Sequence, residues 1–257
     1  MTRLAVHEWG ESGAPRLVCL HGVTAHGRHF AGLAARLAPD WRVVAPDLIG
    51  HGDSPYEPPW SIGAHLAALA ETLEDAPAVW LGHSFGARLA LELAARDPQR
   101  VERLVLLDPA IWLPPHVALY AAESGLTERV YSSFAEAIER RYEESGLQSA
   151  PREVVEEDLA VHLVEGEAGL WRYRYSQAAV VAAYGELASE QPPFERVRVP
   201  TLVVLGAQSY LTYDHLLDAH RAAVGDLLEV VTVEGGHTLL WDALDATAAA
   251  VSTYLER

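Results

Sequence analysis

The sequence predicts an α/β protein, a mostly parallel central sheet flanked by helices and interrupted once by a long helical insertion. Three observations lead there. Short apolar runs alternate with stretches of helical periodicity. Several of those runs are apolar throughout, as in strands buried on both faces. The alternation then stops between residues 111 and 195.

Taken in order, strands are expected at 4–9 (LAVHEW), 16–20 (RLVCL), 41–45 (WRVVA), 78–81 (AVWL), 103–107 (RLVLL), 201–205 (TLVVL) and 228–233 (LEVVTV). Helices are expected at 28–38, 62–74, 86–96, 213–224 and 239–255, from apolar residues recurring at helical spacing. The interval 111–195 carries helical segments such as IERRYEES and EVVEEDLAVHLVE and no strand pattern. It opens at Trp112 and Pro114-Pro115 and closes at Pro192-Pro193. The expected division is a core of 1–110 and 196–257, with 111–195 as a helical cap. Fifteen acidic residues and six arginines fall in that interval, which reads as a solvated acidic outer face.

Composition removes several classes of function. The 257 residues are 50% hydrophobic, enough to build a core, and no low-complexity run suggests disorder. No apolar stretch is long enough to span a bilayer, and the opening MTRLAVHEWG lacks the apolar segment of a signal peptide. The single cysteine, Cys19, sits in a buried strand pattern and reads as a small core residue; a Cys-built metal site is excluded. The expected location is the cytoplasm. All 19 basic residues are arginine, so chemistry that needs a lysine amine is absent. A net charge of −17 would repel phosphate backbones and anionic membrane surfaces. The expected partner is a small-molecule substrate, with no nucleic acid and no membrane insertion, and a homodimer is left open.

The chemistry is carried by one turn. AVWL runs into Gly82-His83-Ser84-Phe85-Gly86 and then into a helix, which is the strand, G-x-S-x-G, helix context of a nucleophile elbow. So tight a turn strains the central residue and brings strand and helix together, leaving no room for flanking side chains. Ser84 would project its hydroxyl from the top of the sheet, with the positive end of the helix dipole aimed at the same place. The Phe85 amide becomes one oxyanion donor, and the loop His21-Gly22-Val23-Thr24 could supply a second from Val23. Gly235-Gly236-His237 follows the last strand, where a histidine can reach back over the C-terminal edge of the sheet.

These pieces, in the order HGVT, DLIGHGDS, GHSFG, LVLLDP, VPTLVVLG and GGH, resemble the α/β-hydrolase fold superfamily over essentially the full length. The resemblance implies an α/β-hydrolase fold with a helical cap inserted after the sixth strand. It also implies Ser84 as nucleophile, His237 as general base, the Val23 and Phe85 amides as oxyanion hole, and no cofactor or metal. The family usually carries its acid just after the strand that here reads TLVVL, but Gly206-Ala207-Gln208-Ser209-Tyr210-Leu211-Thr212 offers no carboxylate. Asp108, at the end of RLVLL, is the leading candidate, and Asp214 is the alternative.

Other residues are given plainer readings. His21, His26 and His29 read as loop-packing or surface histidines, and His51 and Asp53 as shaping the DLIGHGDS loop. Trp171, Tyr173 and Tyr175 alternate and read first as a packing stripe; Trp112 and Trp171 are the aromatic candidates for the substrate pocket. The expected activity is a serine hydrolase cleaving an ester or lactone of a small to medium, mostly apolar substrate. Carbon–carbon bond hydrolysis of a diketone-type ring-cleavage product uses the same triad. A non-catalytic ligand receptor is the reading from another class, favoured by the missing carboxylate. Dehalogenases and epoxide hydrolases of this fold carry aspartate at the elbow, where this chain has Ser84.

Overall fold

Seven strands form one sheet: β1 (Val6–Trp9), β2 (Arg16–Leu20), β3 (Arg42–Pro46), β4 (Ala78–His83), β5 (Val101–Leu107), β9 (Thr201–Gly206) and β10 (Leu228–Val233). Their order across the sheet is β1-β3-β2-β4-β5-β9-β10. Every pairing is parallel except that of β1 with β3. The computed structural model describes residues 2–145, 150–190, 194–211 and 213–257. Pro192, Pro193 and Thr212, read above as punctuation and loop, lie outside the described residues.

Burial on both faces explains the unbroken apolar runs. Successive residues of β5 feed opposite layers, Leu104 and Leu106 into one and Val105 and Leu107 into the other. On the first face pack α2 (Ile62–Thr72), α3 (Phe85–Arg96) and α8 (Asp214–Val224), through Leu69, Leu89 and Leu216. On the second pack α1 (Ala31–Leu37), α9 (Leu239–Asp242) and α10 (Leu244–Leu255), through Leu33, Leu240 and Val251. The expected helix at 239–255 is broken at Ala243, whose φ of −141° is not helical. Among the described residues no helix is long and apolar enough to cross a membrane.

The inserted stretch differs from expectation in two ways. It leaves the sheet after β5, the fifth strand in chain order, and not after a sixth. It also contains strands. Between α4 (Pro115–Leu126) and α7 (Gln177–Leu187) lie β6 (Val130–Tyr131), α5 (Phe134–Ser145), α6 (Arg152–His162), β7 (Leu163–Glu165) and β8 (Trp171–Tyr173). The three short strands pair antiparallel in the order β6-β8-β7. Strands of two or three residues are too short to show a period, so LVE reads as the tail of the helix before it.

Two buried groups fasten this layer to the sheet. Arg88, on α3, pairs with Glu92 at 2.8 Å and donates to the carbonyls of Ile111 (2.6 Å) and Glu190 (3.0 Å). It therefore holds the chain where it leaves the sheet and where it returns. Asp158, on α6, meets His29 at 2.9 Å and His26 at 3.4 Å. The buried carboxylate is held well below its ordinary pKa by those imidazoles, against a larger opposing effect of burial. His26 and His29 are thus buried ties between the sheet layer and the inserted stretch, where packing or surface positions were expected.

Candidate active site

The elbow is built as its glycines require. A Cβ on Gly86 would overlap the Leu20 carbonyl, and one on Gly82 would overlap the backbone of Gly86. Ser84 adopts φ +54°, ψ −118° at the start of α3. That strained conformation is held from three sides. The Ser84 amide donates to the Leu107 carbonyl (3.1 Å), and the Ser84 carbonyl accepts from Ala87 (3.0 Å) and Ala110 (3.2 Å).

His237 arrives from the loop after β10. The Ser84 hydroxyl donates to His237 Nε2 at 3.1 Å, and His237 Nδ1 donates to Asp108 Oδ2 at 2.6 Å. Asp108 is 2% exposed and has φ +37° at the end of β5. Its carboxylate also accepts from the Gly206 amide (3.0 Å) and the Ser209 hydroxyl (2.5 Å). Three donors on one buried carboxylate fix its orientation. Asp214 is exposed in the first turn of α8 and has no hydrogen bond to His237 among the described residues.

The two amides expected at the oxyanion position flank this serine. The His21-Gly22 loop passes so close that a Cβ on Gly22 would lie 3.1 Å from Ser84 Cβ. Among the described residues neither the Val23 nor the Phe85 amide has a hydrogen-bond acceptor. His51 Nε2 donates to the Val23 carbonyl at 2.6 Å, so a loop-shaping histidine also fixes the residue that offers the amide. His21 Nε2 accepts the Leu48 amide at 2.9 Å while burial keeps its pKa well below the ordinary value.

His83 was not singled out in the sequence. Buried beside the serine, its Nε2 donates to the His237 carbonyl at 2.9 Å. Burial first, then the neighbouring His237 and His29 imidazoles, pushes its pKa well below the ordinary value, so it stays a neutral donor. The signal was in the motif itself, the histidine preceding the serine in GHSFG.

Above these groups a cavity of about 1250 Å³ opens between sheet and cap. That exceeds the ~300–1,000 Å³ usual for small-molecule sites. Ser84, His237, Val23, Val180 and Leu187 are among its walls. Neither tryptophan expected there lines it. Trp112 donates its indole N–H to the Ser189 carbonyl at 3.1 Å, at the root of the cap. Trp171 packs on Phe134, 5.6 Å between ring centroids, inside the cap's own core. Trp241, the third residue of α9, and Tyr175, just past β8, are among its aromatics instead, with Tyr120, Tyr184 and Tyr210. Their positions become visible only once the loop after β10 and the cap sheet are folded.

Elsewhere, His7, Asp47 and Asp53 come close enough together to hold a cation. Asp47 already accepts from the Gly27 amide (2.7 Å), the Asp53 amide (2.9 Å) and His7 (3.1 Å), which reads as a loop clamp.

Comparison with known proteins supplies the family. The family described as alpha/beta hydrolase fold matches residues 15–244. The chain belongs to that family. It is 36% identical over 239 residues to lipase LipV of Mycobacterium tuberculosis, covering 91% of this chain and 90% of that one. It is 29% identical over 249 residues to a pimeloyl-[acyl-carrier protein] methyl ester esterase of Neisseria meningitidis, covering 94% and 93%. The solved structure of an E-2-(acetamidomethylene)succinate hydrolase superposes with a TM-score of 0.86 at 24% identity, covering 100% and 99%, a likeness that shows the fold. The chain is a hydrolase, and its relatives named as lipases and esterases cleave esters.

Proposed function

We propose that this hydrolase cleaves carboxylic esters or lactones of small to medium, largely apolar substrates through an acyl-enzyme on Ser84. The observation that carries the reading is the unbroken line from Ser84 Oγ through His237 to Asp108, at 3.1 and 2.6 Å, opening on the cavity under the cap. Asp108 also answers the argument for a non-catalytic receptor, since it supplies the carboxylate that the loop after β9 lacks.

In this mechanism the Ser84 proton passes to His237 Nε2 as Oγ attacks the ester carbonyl carbon. The carbonyl π electrons move onto oxygen, and the Val23 and Phe85 amides hold the resulting oxyanion, assisted by the N-terminus of α3. Asp108 keeps the His237 proton on Nδ1 and stabilises the imidazolium. Collapse of the intermediate breaks the bond to the alcohol, which leaves with the proton from Nε2. Water then gives a proton to His237 and attacks the acyl carbon; collapse returns that proton to Ser84 and frees the acid.

The cap forms the roof, with α4 and α7 in contact at Gly125 and Val180. We read 111–195 as a cap unit on a core of 1–110 and 196–257. The test is turnover of p-nitrophenyl butyrate together with fluorophosphonate labelling. Wild-type enzyme should do both, and Ser84→Ala should lose both. Equal labelling of wild type and Ser84→Ala would remove the acyl-enzyme.

A further inference from the structure

The chain has nearly twice as many acidic as basic residues, and most of its arginines are spent on surface or buried ion pairs. Two arginines line the cavity, Arg129, just before β6, and Arg141, on α5. Arg141 has no ion-pair partner among the described residues. Its guanidinium lies 5.0 Å from the centre of the Trp241 ring, and its Nε is buried with no hydrogen-bond acceptor. A guanidinium laid on an aromatic face in this way is held in one plane with donors left over.

Trp241 connects this group to the catalytic rim. Its ring contacts His29 at 5.2 Å, His29 lies 6.1 Å from His83, and His83 lies 4.9 Å from His237. The Tyr175 hydroxyl, which burial pushes up to about 12, is pulled the other way by both Arg129 and Arg141, so the two charges face one region. Two carboxylates line the same cavity, Glu234 and Asp242. Glu234 is exposed and accepts from Gln208 at 2.5 Å, while Asp242 ends α9. The other groups lining the cavity near the arginines, Thr24, Thr127, Tyr175 and Trp241, carry no negative charge. Arg141 is half-buried, and a buried N–H left without an acceptor costs free energy that an anionic ligand would recover.

We propose that Arg141 is a carboxylate-binding subsite, and that the preferred substrates are esters carrying a carboxylate remote from the scissile bond. This rests on the ester-hydrolase reading above and deepens it. The Arg fork pairs with a planar carboxylate through two parallel N–H···O bonds, and the cavity that holds both it and Ser84 accepts the connecting chain. A largely apolar substrate thus ends in one charge.

The test compares monomethyl suberate with methyl octanoate, esters of equal chain length that differ in the terminal carboxylate, by acid release in a pH-stat. Wild-type kcat/KM should favour the charged ester by about tenfold or more, as expected for a charge-assisted contact. Arg141→Gln should bring the ratio of the two values close to one. Arg141→Lys should keep an intermediate ratio, because it retains charge without the fork. Arg140→Gln, on the neighbouring residue that pairs with Glu143, should leave the ratio alone. No preference in wild type overturns the subsite, as does a loss in Arg141→Gln that is equal for both esters. Because the wild-type ratio is decisive alone, the proposal is testable even if the variants fold poorly. Failure of the hydrolase reading looks different: neither ester is turned over and fluorophosphonate does not label Ser84.

Discussion

Replacing Asp108 by asparagine isolates the carboxylate charge, since the two side chains have the same shape. The Gly206 amide, 3.0 Å from one carboxylate oxygen, cannot turn away, so the asparagine oxygen must take that position. Its NH2 group then faces the Ser209 hydroxyl and His237 Nδ1, which the other oxygen meets at 2.5 and 2.6 Å. The hydroxyl can accept a bond instead of donating one. His237 must also accept at Nδ1, which moves its own proton to Nε2, the atom that should take the proton of Ser84 3.1 Å away. The base is then in the wrong tautomer and the imidazolium has lost its counter-charge. In Ser-His-Asp hydrolases this exchange costs on the order of 10⁴ in turnover, about 5.5 kcal/mol of barrier. The assay is kcat/KM on p-nitrophenyl butyrate, with thermal unfolding to show that the variant is folded. Asp214→Asn, at an exposed position on α8, should stay within about twofold, as surface substitutions generally do. A loss below tenfold in Asp108→Asn, or equal losses in both variants, would show that the tautomer argument is wrong.

Arg88→Met should destabilise the fold by about 3 kcal/mol, because buried Glu92 would keep only the half-exposed Arg96 and the carbonyls of Ile111 and Glu190 would lose a donor; urea denaturation measures it, and a loss under 1 kcal/mol refutes the clamp. Acidification from pH 7 to 5 should also destabilise. Burial pushes His65 down to about 3 and His220 down to about 4, so neither binds a proton in the folded state across that window, whereas the unfolded imidazoles do. Each therefore contributes a loss of about 2 kcal/mol as pH falls through the unfolded value near 6.5. His21, His83 and His162, all lowered by burial, add in the same direction. Urea midpoints measured at pH 5, 6 and 7 that stay constant, or rise on acidification, would contradict this.

The sheet was legible because its inner strands are buried on two faces and so carry apolar runs, while the edge strands β1 and β10 mix polar and apolar residues: all seven expected strands form, with shifts of at most two residues at their ends. The elbow was legible because a Cβ at Gly82 or Gly86 would strike backbone, which leaves a sequence signature. The cap was less so. Its strands derive their stability from pairing with one another, and two or three residues leave no period to read. Arg141 and Asp158 were hidden for a different reason. Each sits in a run of charged residues typical of an exposed helix, and only the tertiary fold turns one toward a tryptophan and the other toward two histidines. Trp112 and Trp171 do not line the pocket because an aromatic can serve a core as easily as a cleft, Trp112 packing on the first face of the sheet and Trp171 within the inserted stretch.

The place of Asp108 follows from the order of the sheet. β5 and β9 are neighbours in register, Leu107 opposite Val204, so their C-terminal ends open onto the same space beside His237. A carboxylate from either strand can reach Nδ1. With the acid on β5, the loop after β9 becomes its support, through the Gly206 amide and the Ser209 hydroxyl. The two loops should therefore be able to exchange roles. Ser209 Oγ already lies 2.5 Å from the carboxylate oxygen that meets His237, and an aspartate at 209 extends one bond further in that direction. Adding Ser209→Asp to Asp108→Asn should restore about tenfold or more of the lost turnover, since the asparagine NH2 can then donate to the new carboxylate while His237 Nδ1 regains an anionic acceptor. A folded double variant no faster than Asp108→Asn would mean that the positive φ of Asp108, and not merely the space it fills, sets the orientation of the acid.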